Sequence, residues 1–135
     1  MVDDDQLMMS TYETVLKMRK FEVTRFHGQG CVDRALGFLE KESASVDIMV
    51  IDIMMPPGEA FKDEDTDQGM RTGVFLLERL NAQYPSIPSL VLTNVQDEAI
   101  LEAVRKVAPQ LRILRKPQCP PLDLVKIIQS DLGCK

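Results

Sequence analysis

The sequence predicts an α/β fold, in which a parallel β-sheet is covered by helices on both faces. Apolar segments of about five to seven residues alternate with helical patterns of about ten to fourteen, which is typical of this class. The length of 135 residues suits one domain, and a hydrophobic fraction of 44% is enough for a core. The segments predict five strands.

In the first half of the chain, two helices separate three predicted strands. Residues 1–3 form the tail of a strand, and a helix follows over about 6–19 with Asp5 as its N-cap. Residues 21–26 alternate and are rich in β-formers, so they predict a second strand. A second helical pattern then leads to the apolar run 47–51, which is the third strand.

Between Pro56 and Thr72 the periodic pattern is lost. Residues 59–69 are polar and aperiodic, with five acidic side chains against one lysine. We interpret this acidic segment as a solvated, mobile loop. A lid or a partner-binding loop is the alternative, because the segment follows closely after Asp52.

The second half of the chain predicts two further strands between helices. A helix over 72–83, capped by Thr72, leads to a fourth strand over 89–94. A helix capped by Asp97 leads to a fifth strand over 111–114, and a last helix begins at Pro121. The residues that we expect this last helix to bury are Leu122, Val125, Ile128 and Leu132.

Composition and charge exclude several classes of function. The net charge is −5 and no long basic cluster occurs, which argues against direct contact with nucleic acid. No apolar stretch approaches the roughly 18 residues that a membrane span needs, and no secretory signal is visible. The cysteines (Cys31, Cys119 and Cys134) lack zinc-ligand spacing, so we expect free thiols in the reducing cytoplasm.

Polar side chains stand at successive strand ends. Asp3 and Asp4, Asp52, Thr93 and Lys116 each lie at or just beyond the carboxyl end of a predicted strand. Because such ends meet at one edge of a parallel sheet, we expect these side chains to lie together. Clustered carboxylates repel one another by roughly 4 kcal/mol per pair at 4 Å, so they indicate a cation. Oxygen ligands with room for water and phosphate suit Mg²⁺, and a carboxylate there can accept a phosphoryl group.

The chain resembles the receiver domain of two-component response regulators over residues 1–135, with an acidic insertion at 59–71. The matching pieces are Val2-Asp3-Asp4-Asp5, Val50-Ile51-Asp52-Ile53-Met54-Met55-Pro56, Thr72-Gly73-Val74-Phe75-Leu76-Leu77, Val91-Leu92-Thr93 and Leu114-Arg115-Lys116-Pro117. The resemblance implies a flavodoxin-like five-stranded sheet of order 2-1-3-4-5.

The resemblance also implies a role for each site residue. Asp52 would be the phosphoacceptor, Thr93 the switch hydroxyl and Lys116 the phosphate-contacting lysine. The Mg²⁺ ligands would be Asp3, Asp4, Asp52 and the backbone carbonyl of Met54. The phosphoryl donor would be a sensor histidine kinase or a phosphotransfer protein, and an unknown downstream protein would receive the signal. The domain would catalyse only this transfer and its own dephosphorylation, so no other enzyme activity is expected.

Four departures from the receiver pattern stand out. The chain starts at the acidic triplet, so the first strand is truncated and leaves a slot; we expect the true start upstream, with another segment or chain as the alternative filler. The loop after Asp52 is longer than usual and acidic. Ile113 stands where an aromatic switch residue is usual, and Asn94 follows the threonine where a small residue is usual.

The sequence leaves other functions and assemblies open. A degenerate receiver that binds partners constitutively is the main alternative. A Mg²⁺-dependent phosphohydrolase is disfavoured, because Met54 stands where such an enzyme needs a second aspartate. Nothing after Gly133 provides an output domain, so we expect a stand-alone regulator, with a homodimer as one option for its assembly.

Overall fold

The computed structural model describes residues 1–133, which form five α-helices and a three-stranded parallel sheet. The helices are α1 (Gln6–Met18), α2 (Cys31–Glu42), α3 (Thr72–Gln83), α4 (Glu98–Val107) and α5 (Pro121–Asp131). The strands are β1 (Met49–Ile51), β2 (Ser89–Thr93) and β3 (Arg112–Arg115). Cys134 lies outside the described residues, whereas Cys31 and Cys119 are buried free thiols, as predicted.

The sheet has the order β1-β2-β3, with β2 in the middle. Ile51 of β1 lies opposite Val91 of β2, and Val91 lies opposite Ile113 of β3. The last four residues of β2 are buried, since helices cover both faces of the strand. These three strands confirm the third, fourth and fifth strands that the sequence predicts.

The first two predicted strands are reduced to isolated bridges. Val2 forms parallel bridges with both Phe26 and Ile51, so it lies between them. The Val2 N–H donates to the Val50 carbonyl at 2.9 Å, and the Asp3 N–H donates to the Phe26 carbonyl at 3.0 Å. Residues 21–25 belong to no strand, and Phe26 pairs only with Val2. The structure therefore has three strands plus bridges, rather than five full strands.

The helices form two layers with separate cores. On one face, α1 and α5 pack together around Tyr12, Leu16, Leu124 and Ile128. On the other face, α2, α3 and α4 cover the larger cluster. Asp5 and Asp97 cap their helices as predicted, by accepting hydrogen bonds from the Met8 and Ala99 N–H groups. The prediction for Leu122 is wrong, since it is 50% exposed and Leu124 takes the buried position.

The acidic segment packs onto the domain more closely than predicted. Phe61 is only 5% exposed, lies beside Phe75 and is covered by the Arg79 guanidinium, 4.9 Å from its ring centre. The Asp33 carboxylate of α2 accepts hydrogen bonds from the N–H groups of Glu59 and Ala60 at 2.8 and 2.9 Å. The prediction of a wholly solvated loop is therefore wrong, although the acidic side chains beyond Phe61 are exposed.

Hydrogen bonds at the start of α3 fix the other end of this segment to the chain at Met55. Thr72 is the first residue of the helix rather than its cap, and its hydroxyl donates to the Met55 carbonyl at 2.5 Å. The Met55 N–H donates to the Gly69 carbonyl at 3.1 Å. No helix within residues 1–133 has the length and apolar character that crossing a bilayer requires.

Candidate functional site

The predicted site residues lie along the carboxyl edge of the sheet. Asp52 follows β1, Thr93 ends β2 and Lys116 follows β3. Asp3 follows Val2, which pairs beside β1 through its bridge to Ile51. Because all these strands run in parallel, their carboxyl ends point to the same side of the molecule. The topology thus gathers residues as far apart in the sequence as Asp3 and Lys116.

Three carboxylates form a compact cluster at this edge. One oxygen from each of Asp3, Asp4 and Asp52 lies within 4.8 Å of the other two. Asp3 is 1% and Asp52 is 6% exposed, whereas Asp4 faces solvent. Backbone donors hold the buried pair, since the Asp5 N–H donates to Asp3 at 2.9 Å and the Ile53 N–H donates to Asp52 at 2.7 Å. The cluster is therefore fixed on two sides and open on the side of Asp4.

Lys116 provides the counter-charge within the cluster. Its Nζ lies 2.7 Å from an Asp3 oxygen and 3.3 Å from an Asp52 oxygen, and its side chain is almost fully buried. Burial alone would lower the pKa of Lys116, but the Asp52 and Asp3 carboxylates outweigh burial and raise it. The lysine therefore stays charged. If all three carboxylates were ionised, the cluster would carry a net charge of −2.

The crowding of the carboxylates raises the pKa values of two of them. Burial raises the pKa of Asp3 to about 7, and repulsion from Asp52 adds to the effect, while Lys116 opposes it. Burial and Asp52 also raise the pKa of Asp4. The cluster consequently takes up a proton readily at neutral pH. A divalent cation would replace that proton, since metal ligands must be deprotonated.

The donor set fits Mg²⁺. All side-chain donors are carboxylate oxygens, and the open side at Asp4 leaves room for water and for phosphate oxygens, which Mg²⁺ usually keeps as ligands. Within residues 1–133, this is the cluster of acidic residues close enough to hold an ion. Met54 lies two residues beyond Asp52 with its side chain 39% exposed. The role of its backbone carbonyl as a ligand stays a prediction.

Thr93 is buried at the same edge but is held by its own loop. Its Oγ1 accepts a hydrogen bond from the Val95 N–H at 3.1 Å, and the residue has no exposed surface. Among the described residues, no hydrogen bond joins Thr93 to Asp52. The role of Thr93 as a switch hydroxyl stays a prediction.

The sequence reasoning assigned no role to Gly73, the second residue of α3. Its N–H donates to the Ile53 carbonyl at 2.8 Å, so the helix start lies directly against the chain after Asp52. A Cβ at this position would collide with the Asp52 carbonyl oxygen and would lie 2.5 Å from the Ile53 Cα. The signal in the sequence is a glycine in the first turn of a helix, where glycine is unfavourable without a packing reason.

Solved structures of similar shape share one fold. A response regulator receiver domain protein from Methanospirillum hungatei matches with a TM-score of 0.74 at 19% identity, covering 97% of this chain and 90% of its own. A signal receiver domain from Pseudomonas fluorescens matches with a TM-score of 0.74 at 20% identity, covering 97% and 90%. A response regulator from Thermotoga maritima gives 0.70 at 17% identity, covering 98% and 93%. The chain therefore has the receiver-domain fold.

Some of the similar structures belong to longer regulators. In the RcsB response regulator of Salmonella typhimurium, the match has a TM-score of 0.71 at 23% identity and covers 98% of this chain but 58% of RcsB. No protein-family model matches the chain, and no curated protein gives a significant match. The structural similarity therefore establishes the fold, and any argument about function must come from the arrangement of side chains.

Proposed function

We propose that this chain is a phosphoacceptor module of two-component signalling, which accepts a phosphoryl group on Asp52 in the presence of Mg²⁺. The observation that carries the proposal is the cluster of three carboxylates within 4.8 Å, joined to the Lys116 ammonium. The receiver-domain fold supports the same reading. The flavodoxin-like strand order 2-1-3-4-5 belongs to this proposal, and the parallel bridges of Val2 to Phe26 and to Ile51 support it.

The transfer uses the carboxylate as a nucleophile. An Asp52 oxygen attacks the phosphorus of a phosphohistidine, the P–N bond breaks, and its electron pair stays on the imidazole nitrogen, which is then protonated. The product is an acyl phosphate. Water later attacks the phosphorus, so that inorganic phosphate leaves and the carboxylate returns. We propose no other enzyme activity.

The surrounding residues stabilise the charge on the transferred group. Mg²⁺, held by Asp3, Asp4, Asp52 and the Met54 carbonyl, would neutralise part of the charge that develops on the phosphoryl oxygens. The Lys116 ammonium already lies 3.3 Å from Asp52 and would contact a phosphoryl oxygen there. Thr93 would donate its hydroxyl proton to another oxygen. The loops that carry both residues would then shift, and with them the face formed by α4, β3 and α5.

The partners follow from this chemistry. The donor would be a sensor histidine kinase or a phosphotransfer protein in the cytoplasm, and the output would be a changed protein–protein contact. One structure of RcsB was obtained bound to a promoter, but the net charge of −5 on this chain does not favour direct contact with DNA. A homodimer remains an option that the same switch would control.

The decisive experiment is to incubate the protein with acetyl phosphate and Mg²⁺ and to weigh the intact chain. We expect the mass of one phosphoryl group to appear, and to be absent in Asp52→Asn and without Mg²⁺. Asp47→Asn is the matched control, because this exposed carboxylate precedes the same strand at its other end. Full labelling of the control and none of Asp52→Asn would assign the acceptor.

An unlabelled wild-type protein would instead support the alternative, a degenerate receiver that binds its partners constitutively. The observation that favours this alternative is Ile113 at the usual position of an aromatic switch residue. A titration with beryllofluoride would separate the two functions independently of the donor. A Mg²⁺-dependent response requires a competent pocket, whereas a degenerate receiver would give none.

A further inference from the structure

The short stretch of chain after β1 is bonded to the end of the acidic segment and to the first turn of α3. The Met55 N–H donates to the Gly69 carbonyl at 3.1 Å, and the Met55 carbonyl accepts a hydrogen bond from the Thr72 hydroxyl at 2.5 Å. The Ile53 carbonyl accepts a hydrogen bond from the Gly73 N–H at 2.8 Å. These hydrogen bonds fix the stretch from one side.

The carbonyl of Met54, in the middle of this stretch, is left free. In the described part of the chain, it accepts no hydrogen bond. Ile53 and Met55 are buried and Met54 is 39% exposed, which is the alternation of an extended chain. Neighbouring residues of such a chain direct their carbonyls to opposite sides, so the Met54 carbonyl is directed away from the donors at the start of α3. It is therefore an acceptor that a cation could use.

The last residues of the acidic segment have an unusual backbone conformation. Asp67, Gln68 and Gly69 have φ angles of 52°, 56° and 91°, in the left-handed region that residues other than glycine rarely adopt. Such a conformation persists where the surrounding structure enforces it, often beside a functional site. Here the buried Thr66 accepts the Gly69 N–H on its hydroxyl at 3.3 Å and the Arg71 N–H on its carbonyl at 2.8 Å. The turn therefore presents the Gly69 carbonyl in a fixed position.

Gly69 also lies in close contact with the stretch after β1. A Cβ at Gly69 would lie 2.8 Å from the Met55 carbonyl oxygen, which is backbone and cannot rotate away. Gly58, just before the acidic segment, has a left-handed φ of +64° too, but a Cβ there would collide with the Asp33 carboxylate. The two glycines are thus similar in conformation and crowding, and only Gly69 is crowded against the residues that flank Met54.

We propose that Gly69 and Thr72 are positioning residues of the metal site, which hold Met54 so that its carbonyl meets Mg²⁺ in one fixed place. This inference rests on the proposed function, because it takes the Met54 carbonyl as a ligand. Loss of a residue that orients a ligand typically weakens metal binding by about 10- to 100-fold. Mg²⁺ demands a nearly octahedral arrangement of ligands, whereas Ca²⁺ tolerates irregular ones. The two residues should therefore favour Mg²⁺ over Ca²⁺.

The first test compares Thr72→Val with Thr72→Ser. Valine removes the hydroxyl that bonds the Met55 carbonyl, whereas serine keeps it. Mg²⁺ and Ca²⁺ titrations are followed through the backbone amide signals in NMR spectra, so that no phosphoryl transfer is needed. We expect about tenfold weaker Mg²⁺ binding for Thr72→Val, with a smaller loss for Ca²⁺. Thr72→Ser should bind both ions like the wild type.

The second test compares Gly69→Ala with Gly58→Ala. Both variants place a methyl group at a left-handed, crowded position, so both should lower the unfolding free energy. Only Gly69→Ala should displace the Met55 carbonyl and weaken Mg²⁺ binding by about tenfold or more. Gly58→Ala should keep the wild-type Mg²⁺ affinity and the wild-type preference for Mg²⁺ over Ca²⁺. If Gly69→Ala does not fold, the two Thr72 variants decide the question.

Hydrogen exchange at the Met55 amide gives an independent readout. If the bond from this amide to Gly69 supports Mg²⁺ binding, then Mg²⁺ must support the bond, because coupling between the two is reciprocal. Saturating Mg²⁺ should therefore slow exchange at Met55 in the wild type and in Thr72→Ser, and slow it less in Thr72→Val. Exchange that does not respond to bound Mg²⁺ in the wild type would overturn the inference.

The remaining outcomes separate this inference from the proposed function. Unchanged Mg²⁺ binding in Thr72→Val, or an equal loss for Mg²⁺ and Ca²⁺, would leave Thr72 and Gly69 with a structural role only. An equal loss in Gly58→Ala would have the same meaning. Failure of the wild-type protein to bind Mg²⁺ would remove the metal site, and both proposals with it. Labelling with acetyl phosphate reports on Asp52 separately, so the two failures are distinguishable.

Discussion

The two edges of the sheet differ in how densely they are packed. At the carboxyl edge, Lys116 is buried in contact with both Asp3 and Asp52. At the amino edge, residues from the same strands line a cavity of about 700 Å³. The carboxyl edge is therefore densely packed with charged groups, whereas the amino edge contains a cavity. The crowded edge should be sensitive to almost any change, whereas the empty edge should tolerate added volume.

The largest effect should come from removing the cation of the crowded edge. Lys116→Met leaves two buried carboxylates without a partner, which should cost about 3–5 kcal/mol in unfolding free energy at pH 8 without Mg²⁺. Chemical denaturation measures this loss, and lowering the pH should reduce it because a carboxylate then protonates. The exposed Lys126→Met is the control and should change stability by less than about 0.5 kcal/mol. A similar loss in both variants would contradict the importance of the buried pair.

The next largest effect should come from Mg²⁺. Because the pKa of Asp3 is raised from 3.8 to about 7, the folded state holds more protons than the unfolded state between these values. Without Mg²⁺, the contribution of Asp3 should therefore make the unfolding free energy fall as the pH rises through this window. At pH 8, Mg²⁺ at a hundredfold excess over its dissociation constant should restore about 2.7 kcal/mol.

The Mg²⁺ effect can be checked by thermal denaturation with and without the ion. Asp4→Asn should abolish the Mg²⁺-induced shift while changing the metal-free stability little, since Asp4 is exposed. An equal shift with Ca²⁺ and Mg²⁺ in that variant would indicate nonspecific screening instead.

A smaller effect should distinguish two helical glycines. Gly73→Ala places a methyl group against the Asp52 carbonyl, which should cost about 1–3 kcal/mol and weaken Mg²⁺ binding. Gly37→Ala, at a position of α2 with no neighbouring atom within 4 Å of the new Cβ, should instead gain up to about 1 kcal/mol. Chemical denaturation of both variants measures the contrast, and a loss in both would argue against specific crowding at the site.

The smallest effect should appear at the empty edge. Ala35 of α2 lines the cavity at the amino edge, so Ala35→Leu has space for its added carbons and should change the unfolding free energy by less than about 1 kcal/mol. Chemical denaturation measures this change. A loss of several kcal/mol would mean that the cavity is already filled in solution, and would remove the contrast between the two edges.

The carboxyl edge could be predicted from the sequence because its signals are local. Each site residue follows a run of apolar residues, and parallel topology alone places such residues together. The caps Asp5 and Asp97 were predicted for the same reason, since a capping side chain acts on the nearest helix turn. Fold and cluster therefore follow from short patterns combined with one topological rule.

Other features depend on contacts between distant segments, which no local pattern reveals. The polar composition of 59–69 predicts a solvated loop, but Phe61 finds a buried place on α3 and Asp33 supplies the hydrogen bonds. The alternation in 21–26 predicts a strand, but a strand also needs a neighbour along its length. At the start of α5, Leu124 is buried and Leu122 is exposed, because the packing of the helix on the domain selects the face that carries Leu124.

In the acidic segment, different residues provide the buried anchor and the exposed charge. Phe61 and Thr66 are buried, while Asp63, Glu64, Asp65 and Asp67 point outward from the same fixed scaffold. Substitution of the exposed acidic residues can therefore change the surface charge of the segment without loss of its buried contacts. Two chains of this fold could therefore share the same buried anchor and still present different charges to other molecules.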